Sequence, residues 1–164
     1  TRKGPVNTYF YNNTIYVSDS LVSKIAIENR SCGVLVANNI FHLSGGTDLV
    51  KGDQYRPDDS KNRTIPNVFF ENNIFINSGK WPATAAIKAQ KSIFGNVSFK
   101  NPGGLEPEDY FPQNEALVQK GINIPFISND NFGLMQGLKL KEDILGNKIE
   151  GLPSIGAIQV GTAK

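Results

Sequence analysis

Short apolar stretches alternate along this chain with a recurring polar pair. Tyr9-Phe10-Tyr11-Asn12-Asn13-Thr14-Ile15-Tyr16 is followed by Leu35-Val36-Ala37-Asn38-Asn39-Ile40-Phe41-His42 and by Phe69-Phe70-Glu71-Asn72-Asn73-Ile74-Phe75-Ile76. A weaker copy reads Ser92-Ile93-Phe94-Gly95-Asn96-Val97-Ser98-Phe99, so the second Asn falls at 13, 39, 73 and 96, in steps of 26, 34 and 23 residues. Steps of this size suit one solenoid coil apiece, the longest carrying an insertion.

The columns of the repeat carry the structural expectation. Phe10, Val36, Phe70 and Ile93 stand three residues before the second Asn, and Thr14, Ile40, Ile74 and Val97 stand one residue after it. β-Branched and aromatic residues on both sides of the pair predict a short strand on each flank. The first position of the pair is Asn12, Asn38, Asn72 and Gly95, and these two residue types adopt positive φ most easily, so this column predicts a left-handed bend. The second position is Asn in all four copies, and a primary amide both donates and accepts, so this column predicts a ladder of stacked side chains. Asn-Asn pairs also mark antiparallel hairpins, but hairpins do not require the same apolar residues at the same offsets in every copy. Leucine-rich repeats carry an Asn ladder too, yet need Leu at fixed offsets, where this chain has Phe, Val and Ile.

Further strands are expected at Lys24–Glu28 and Ala85–Ala89. Residues 44–66 are rich in Gly, Asp, Lys and Arg without apolar periodicity, which predicts a loop projecting from its coil. The expectation is an all-β chain of about four coils over residues 1–108, with residues 109–164 closing the same domain. Asn7 to Tyr16 is already a full repeat with nothing before it to cover a stack end, so further coils are expected upstream.

These motifs resemble the right-handed parallel β-helix repeat family, the pectate-lyase-like group of polysaccharide lyases and glycoside hydrolases. The tail strengthens the resemblance: Ala116-Leu117-Val118-Gln119-Lys120-Gly121, Asp143-Ile144-Leu145-Gly146 and Ile155-Gly156-Ala157-Ile158 are similar to the closing segment of secreted bacterial members. Glu115-Ala116 stands where Ser-Pro is usual, and Gln159 where Glu is common. The resemblance implies a right-handed parallel β-helix (solenoid), a secreted, periplasmic or cell-surface bacterial location, a polysaccharide partner and a monomeric state. It implies polysaccharide degradation by the full-length protein, with a lyase favoured over a hydrolase. The alternative is a non-catalytic surface module for carbohydrate binding or adhesion. Ca²⁺ enters as a cofactor by this resemblance alone, since the Asp spacing of the charged insertion at residues 44–66 does not fit a known calcium loop.

Composition narrows the partners. The 164 residues carry a formal net charge of +2, scattered evenly, which is not the basic stripe of a nucleic-acid binder. No apolar run approaches the roughly 20 residues of a membrane span. The single cysteine, Cys32, has no internal disulfide partner and leads an apolar run, where it reads as a small buried hydrophobe.

Candidate chemistry follows from what each mechanism needs. Lyases take a proton with Lys, Arg or His beside a neutralised uronate, and inverting hydrolases use paired carboxylates. The catalytic candidates are therefore Lys51 and Arg56 of the charged insertion, Lys88 in a strand-like stretch, and His42, the sole histidine. Each has a plainer reading: a solvated loop for Lys51 and Arg56, an exposed strand charge for Lys88, a packed structural residue for His42. Trp81 and Tyr55 are the substrate-binding candidates, because sugars stack on aromatic faces. Trp81 beside Pro82 equally suits packing over a stack end. Four N-x-[ST] sequons begin at Asn12, Asn29, Asn62 and Asn96, two of them inside the repeat.

Overall fold

The computed structural model describes residues 6–21, 23–25, 32–43, 47–49, 68–76, 89–95, 97–114, 118–128, 130–131 and 137–161. Over these the chain is all-β, with almost no helix. The strands are β1 (Val6–Tyr11), β2 (Thr14–Val17), β3 (Ser23–Ile25), β4 (Cys32–Ala37), β5 (Ile40–Leu43), β6 (Thr47–Leu49), β7 (Val68–Glu71), β8 (Ile74–Ile76), β9 (Ala89–Gln90) and β10 (Ile93–Phe94). A short 3-10 helix spans Pro107–Tyr110.

Each Asn pair separates two strands that enter different sheets. The first sheet runs β1-β4-β7-β9 and the second β10-β8-β5-β2, and β3 pairs with β6 in a third. Every pairing among these strands is parallel. In the first sheet Phe10 lies beside Val36, Val36 beside Phe70 and Phe70 beside Ala89. In the second, Ile15, Phe41, Phe75 and Phe94 form a row in the same way. A core forms between the two sheets from Val34, Val36 and Phe70 on one side and Phe41, Leu43 and Phe75 on the other. Phe41 and Phe75 stack with ring centroids 5.2 Å apart and planes 6° from parallel.

The bend and the ladder are both present. Asn12, Asn38 and Asn72 have φ of 53°, 53° and 54°, the left-handed conformation expected of that column. Asn13 Nδ2 donates to Asn39 Oδ1 at 2.9 Å, and Asn39 Nδ2 donates to Asn73 Oδ1 at 3.0 Å. The backbone N–H of Asn13 and of Asn39 bonds the same two oxygens, at 2.9 and 3.0 Å. Asn39 and Asn73 are fully buried, where an amide without partners costs about 1–3 kcal/mol, so each rung depends on the next.

The fourth rung differs from the repeat as written in the sequence. Ile93, not Val97, pairs with Ile74, and Ile93 N–H bonds the Asn73 carbonyl as Ile74 N–H bonds that of Asn39. The bend falls on Lys91, with φ 49°, and the ladder position on Ser92. Gly95-Asn96 imitates the motif, but the apolar rows are completed four residues earlier, with Ile93 beside Ile74 and Ala89 beside Phe70, and packing sets the register. Ser92 is too short to continue the ladder, and among the described residues its buried Oγ has no hydrogen-bond partner. Asn96 itself lies outside the described residues.

Two other expectations meet the structure in part. β3 covers the start of the Lys24–Glu28 strand, and β9 begins at Ala89, the last residue of Ala85–Ala89. Inside the stretch read as a loop, Thr47–Leu49 forms β6, paired in register with β3. Residues 44–46 and 50–66, the rest of that loop, lie outside the described residues.

Candidate binding groove

The face of each sheet that points away from the shared core is covered by chain from beyond residue 96. On the first sheet Leu35 and Ala37 pack with Ile124 and Ile127. On the second, Ile40 and Ile74 pack with Val97, Phe99, Val118, Ile155 and Val160. The first Asn of each pair anchors this cover. Asn12 Nδ2 donates to the Ser154 carbonyl at 2.7 Å, Asn38 Nδ2 to that of Ile122 at 2.7 Å and Asn72 Nδ2 to that of Lys120 at 2.9 Å. Asn72 also donates to Asn38 Oδ1 at 2.8 Å, and Asn38 to Asn12 Oδ1 at 3.3 Å, so the bend column is a second ladder. Sequence reasoning assigned that column a backbone role alone. The signal was there: Gly satisfies a left-handed bend equally well, and three of four copies keep a side chain that can donate.

Glycines let the covering segment lie close. Gly156 has φ 95°, and a Cβ there would stand 2.6 Å from Ile40 Cδ1 and 2.9 Å from Thr14 Oγ1. A Cβ on Gly121 would collide with the Pro153 carbonyl. The Asp143–Gly146 turn closes on itself, with Asp143 Oδ1 accepting from Leu145 N and Asn147 N at 2.8 Å each. Burial pushes the Asp143 carboxyl up, but its hydrogen bonds from Asn147, Gln159 and Leu145 outweigh this and hold it below the usual carboxylate range. Gln159 Oε1 accepts from Ser154 N at 2.8 Å, so the amide supplies the acceptor that a Glu would.

Between the two arms of this segment, over the Asn12 turn, lies a groove of about 320 Å³. That is at the small end of ligand-sized sites. Ile124, Phe126, Leu138 and Leu140 supply apolar wall, while Asn123 and Lys139 supply polar groups. Phe126 is 57% exposed, and its ring meets Tyr9 edge-on with centroids 6.5 Å apart. Tyr9 is fixed in turn: its hydroxyl donates to Asp130 Oδ2 at 2.5 Å and accepts from Ile127 N at 2.9 Å. Burial, then the bond to Asp130, raises the Tyr9 phenol above its ordinary value, so it stays a protonated donor. Asn7 Nδ2 donates to the other Asp130 oxygen at 2.8 Å. The arrangement presents an exposed aromatic lip on a rigid support, with amide and ammonium groups lining the groove below.

His42 does not share this groove. It is half-buried on the covered face of the second sheet, between Tyr16 at 5.0 Å and Phe99 at 5.4 Å between ring centroids. Burial lowers its pKa, which favours the neutral ring in this aromatic stack. Lys51, Tyr55, Arg56, Trp81 and Lys88 lie outside the described residues. The groove's walls come from residues 123–153, which carry no repeat, and only the Asn12 floor belongs to one.

Among the described residues no group of three or more His, Cys, Asp or Glu is placed to hold a metal ion, so no donor set for the Ca²⁺ implied by resemblance is seen there. No helix among them is long and apolar enough to cross a membrane. No protein-family model matches the chain, and no curated protein matches it.

Proposed function

We propose that the stacked rungs are turns of a right-handed parallel β-helix, and that the chain is the C-terminal portion of a secreted carbohydrate-active protein that binds polysaccharide in the groove beside Phe126. Parallel pairing at offsets of 26 and 34 residues, with the same side-chain columns in each rung, supports the first half. The observation that carries the second is the exposed Phe126 ring at the lip of a groove containing Asn123 and Lys139. A sugar ring stacks its apolar face on such an aromatic, amides bond its hydroxyls, and an ammonium favours an anionic, uronate-type chain. Degradation belongs to the full-length protein, with β-elimination ahead of hydrolysis.

Binding without cleavage is the second reading. It is favoured by Asp130, the acid beside the groove, which accepts from Asn7 on one oxygen and Tyr9 on the other and so serves as a strut.

A panel of neutral and anionic polysaccharides separates these readings, with affinity electrophoresis for binding and ultraviolet absorbance for unsaturated products. The expected result is retention on an anionic polymer, weakened at least tenfold by Phe126→Ala with the melting temperature unchanged. Unsaturated products mark a lyase, reducing ends alone a hydrolase, and neither a binding module. No retention on any polymer overturns the carbohydrate reading.

A further inference from the structure

The ladder amides of the first rung are bonded differently from those of the next two. Asn39 Nδ2 reaches back to the Phe10 carbonyl of the rung before it at 2.9 Å, and Asn73 Nδ2 reaches the Val36 carbonyl at 2.8 Å. Asn13 Nδ2 instead turns onto its own strand, to the Tyr11 carbonyl at 2.9 Å. The Oδ1 atoms of Asn39 and Asn73 each accept two bonds from the preceding rung, whereas no donor among the described residues reaches Asn13 Oδ1. In the outer ladder Asn38 and Asn72 each give one amide hydrogen to the Asn before them. The corresponding hydrogen of Asn12 has a long contact of 3.4 Å to the Gly156 carbonyl.

The apolar rows show the same discontinuity. β1 and β2 are the end strands of their sheets, and Phe10 is 40% exposed while Val36 and Phe70 beside it are 6% and 0% exposed. Val6 is 60% exposed.

We propose that the β1–β2 edge is a docking surface for a further strand–Asn-Asn–strand rung, carried on the same polypeptide and laid on it in parallel. The second Asn of that rung would donate its N–H and amide to Asn13 Oδ1, and Asn13 would turn its amide back onto the rung's carbonyl. The first Asn would accept from Asn12 Nδ2. A second copy of this chain cannot supply such a rung. Its pair at 38/39 is bonded on both sides, its pair at 72/73 is already covered by the β9–β10 rung through backbone bonds, its pair at 12/13 presents the same open acceptor, and its last rung carries Lys91-Ser92. The inference rests on the observed rungs and is independent of the carbohydrate reading.

The test is the chain extended ahead of residue 6 by a second copy of its own residues 6–31, which places the added Asn pair 26 residues before Asn12-Asn13, the spacing of the first and second rungs. A companion carries Ala at both added Asn positions. The expected result is a melting temperature several degrees above that of the parent, hydrogen-exchange protection gained in β1 and β2, and loss of most of both gains in the companion. Unchanged exchange in β1 and β2, with the added segment cleaved by protease while the parent core persists, overturns the proposal. So does an equal gain from the Ala companion, which would make the contact one of apolar burial alone. The unextended chain should sediment as a monomer; a dimer abolished by the extension would overturn the choice of occupant.

Discussion

Replacing Asn39 by Ala tests the inner ladder where its geometry is tightest. The side chain is fully buried and makes four hydrogen bonds: from Asn13 N and Nδ2 to Oδ1, and from Nδ2 to the Phe10 carbonyl and Asn73 Oδ1. At about 1 kcal/mol net for each bond, with partners left in a buried site, the loss is about 3–5 kcal/mol. That is a large share of the roughly 5–15 kcal/mol that holds a domain folded, and it corresponds to about 10 °C in melting temperature for a chain of this size. Asn13→Ala is the internal control. Asn13 is half-buried, and its side chain makes two of the bonds, to Tyr11 and Asn39, so the loss is about 1–2 kcal/mol. Asn39→Asp adds a pH readout. A carboxylate buried at this position has a raised pKa, so the variant is most stable below the unfolded value of about 3.9 and loses stability as pH rises through its folded pKa. Urea unfolding followed by circular dichroism measures all three. If Asn39→Ala costs under about 1 kcal/mol, or no more than Asn13→Ala, the ladder does not stabilise the stack.

Ser92→Ala removes a buried hydroxyl that has no partner among the described residues and should raise stability by about 1 kcal/mol; a fall in urea midpoint would show that Ser92 is bonded in solution. Gly156→Ala forces a Cβ against Ile40 and Thr14 at a positive φ and should cost about 2–3 kcal/mol, while a neutral effect would mean the closing segment stands off the sheet. The lowered pKa of His42 makes its stability contribution complete above the unfolded value of about 6.5 and progressively lost as pH falls from there through the folded pKa. His42→Phe should therefore flatten the melting temperature between about pH 7.5 and 5, and an unaltered slope would place the titration elsewhere. Asp143, held low by hydrogen bonds, acts further down the scale: its contribution is present above the unfolded carboxylate value and lost as pH falls through the folded one. Asp143→Asn should thus weaken the dependence of stability on pH only in acid.

The rungs were legible in the sequence because their causes are local. A bend that needs positive φ, an amide that must reach the next rung, and flanking residues that suit strands all lie within eight residues, and they recur. The fourth rung was misread because Lys91-Ser92 satisfies the register without any Asn, while Gly95-Asn96 carries the motif without the register. Only the pairing of Ile93 with Ile74 distinguishes them, and that contact is non-local. The groove was illegible for the same reason in stronger form. Asn12 meets Ser154 across 142 residues, and Tyr9 meets Asp130 across 121, and neither pairing leaves a periodic trace. The bond from Asn38 to Ile122 could have been anticipated in kind, since a buried amide in the bend column must donate to something, but its partner could not.

The direct test of the stacked architecture is a nuclear Overhauser spectrum of the labelled chain, because strands on either side of an Asn pair are close together in a hairpin and far apart in a stack. Stacked strands should give contacts of Thr14 with Ile40 and of Ile40 with Ile74, together with contacts joining the side-chain amides of Asn13, Asn39 and Asn73. Cross-strand contacts between Tyr9–Tyr11 and Thr14–Tyr16, with the amide contacts missing, would contradict it.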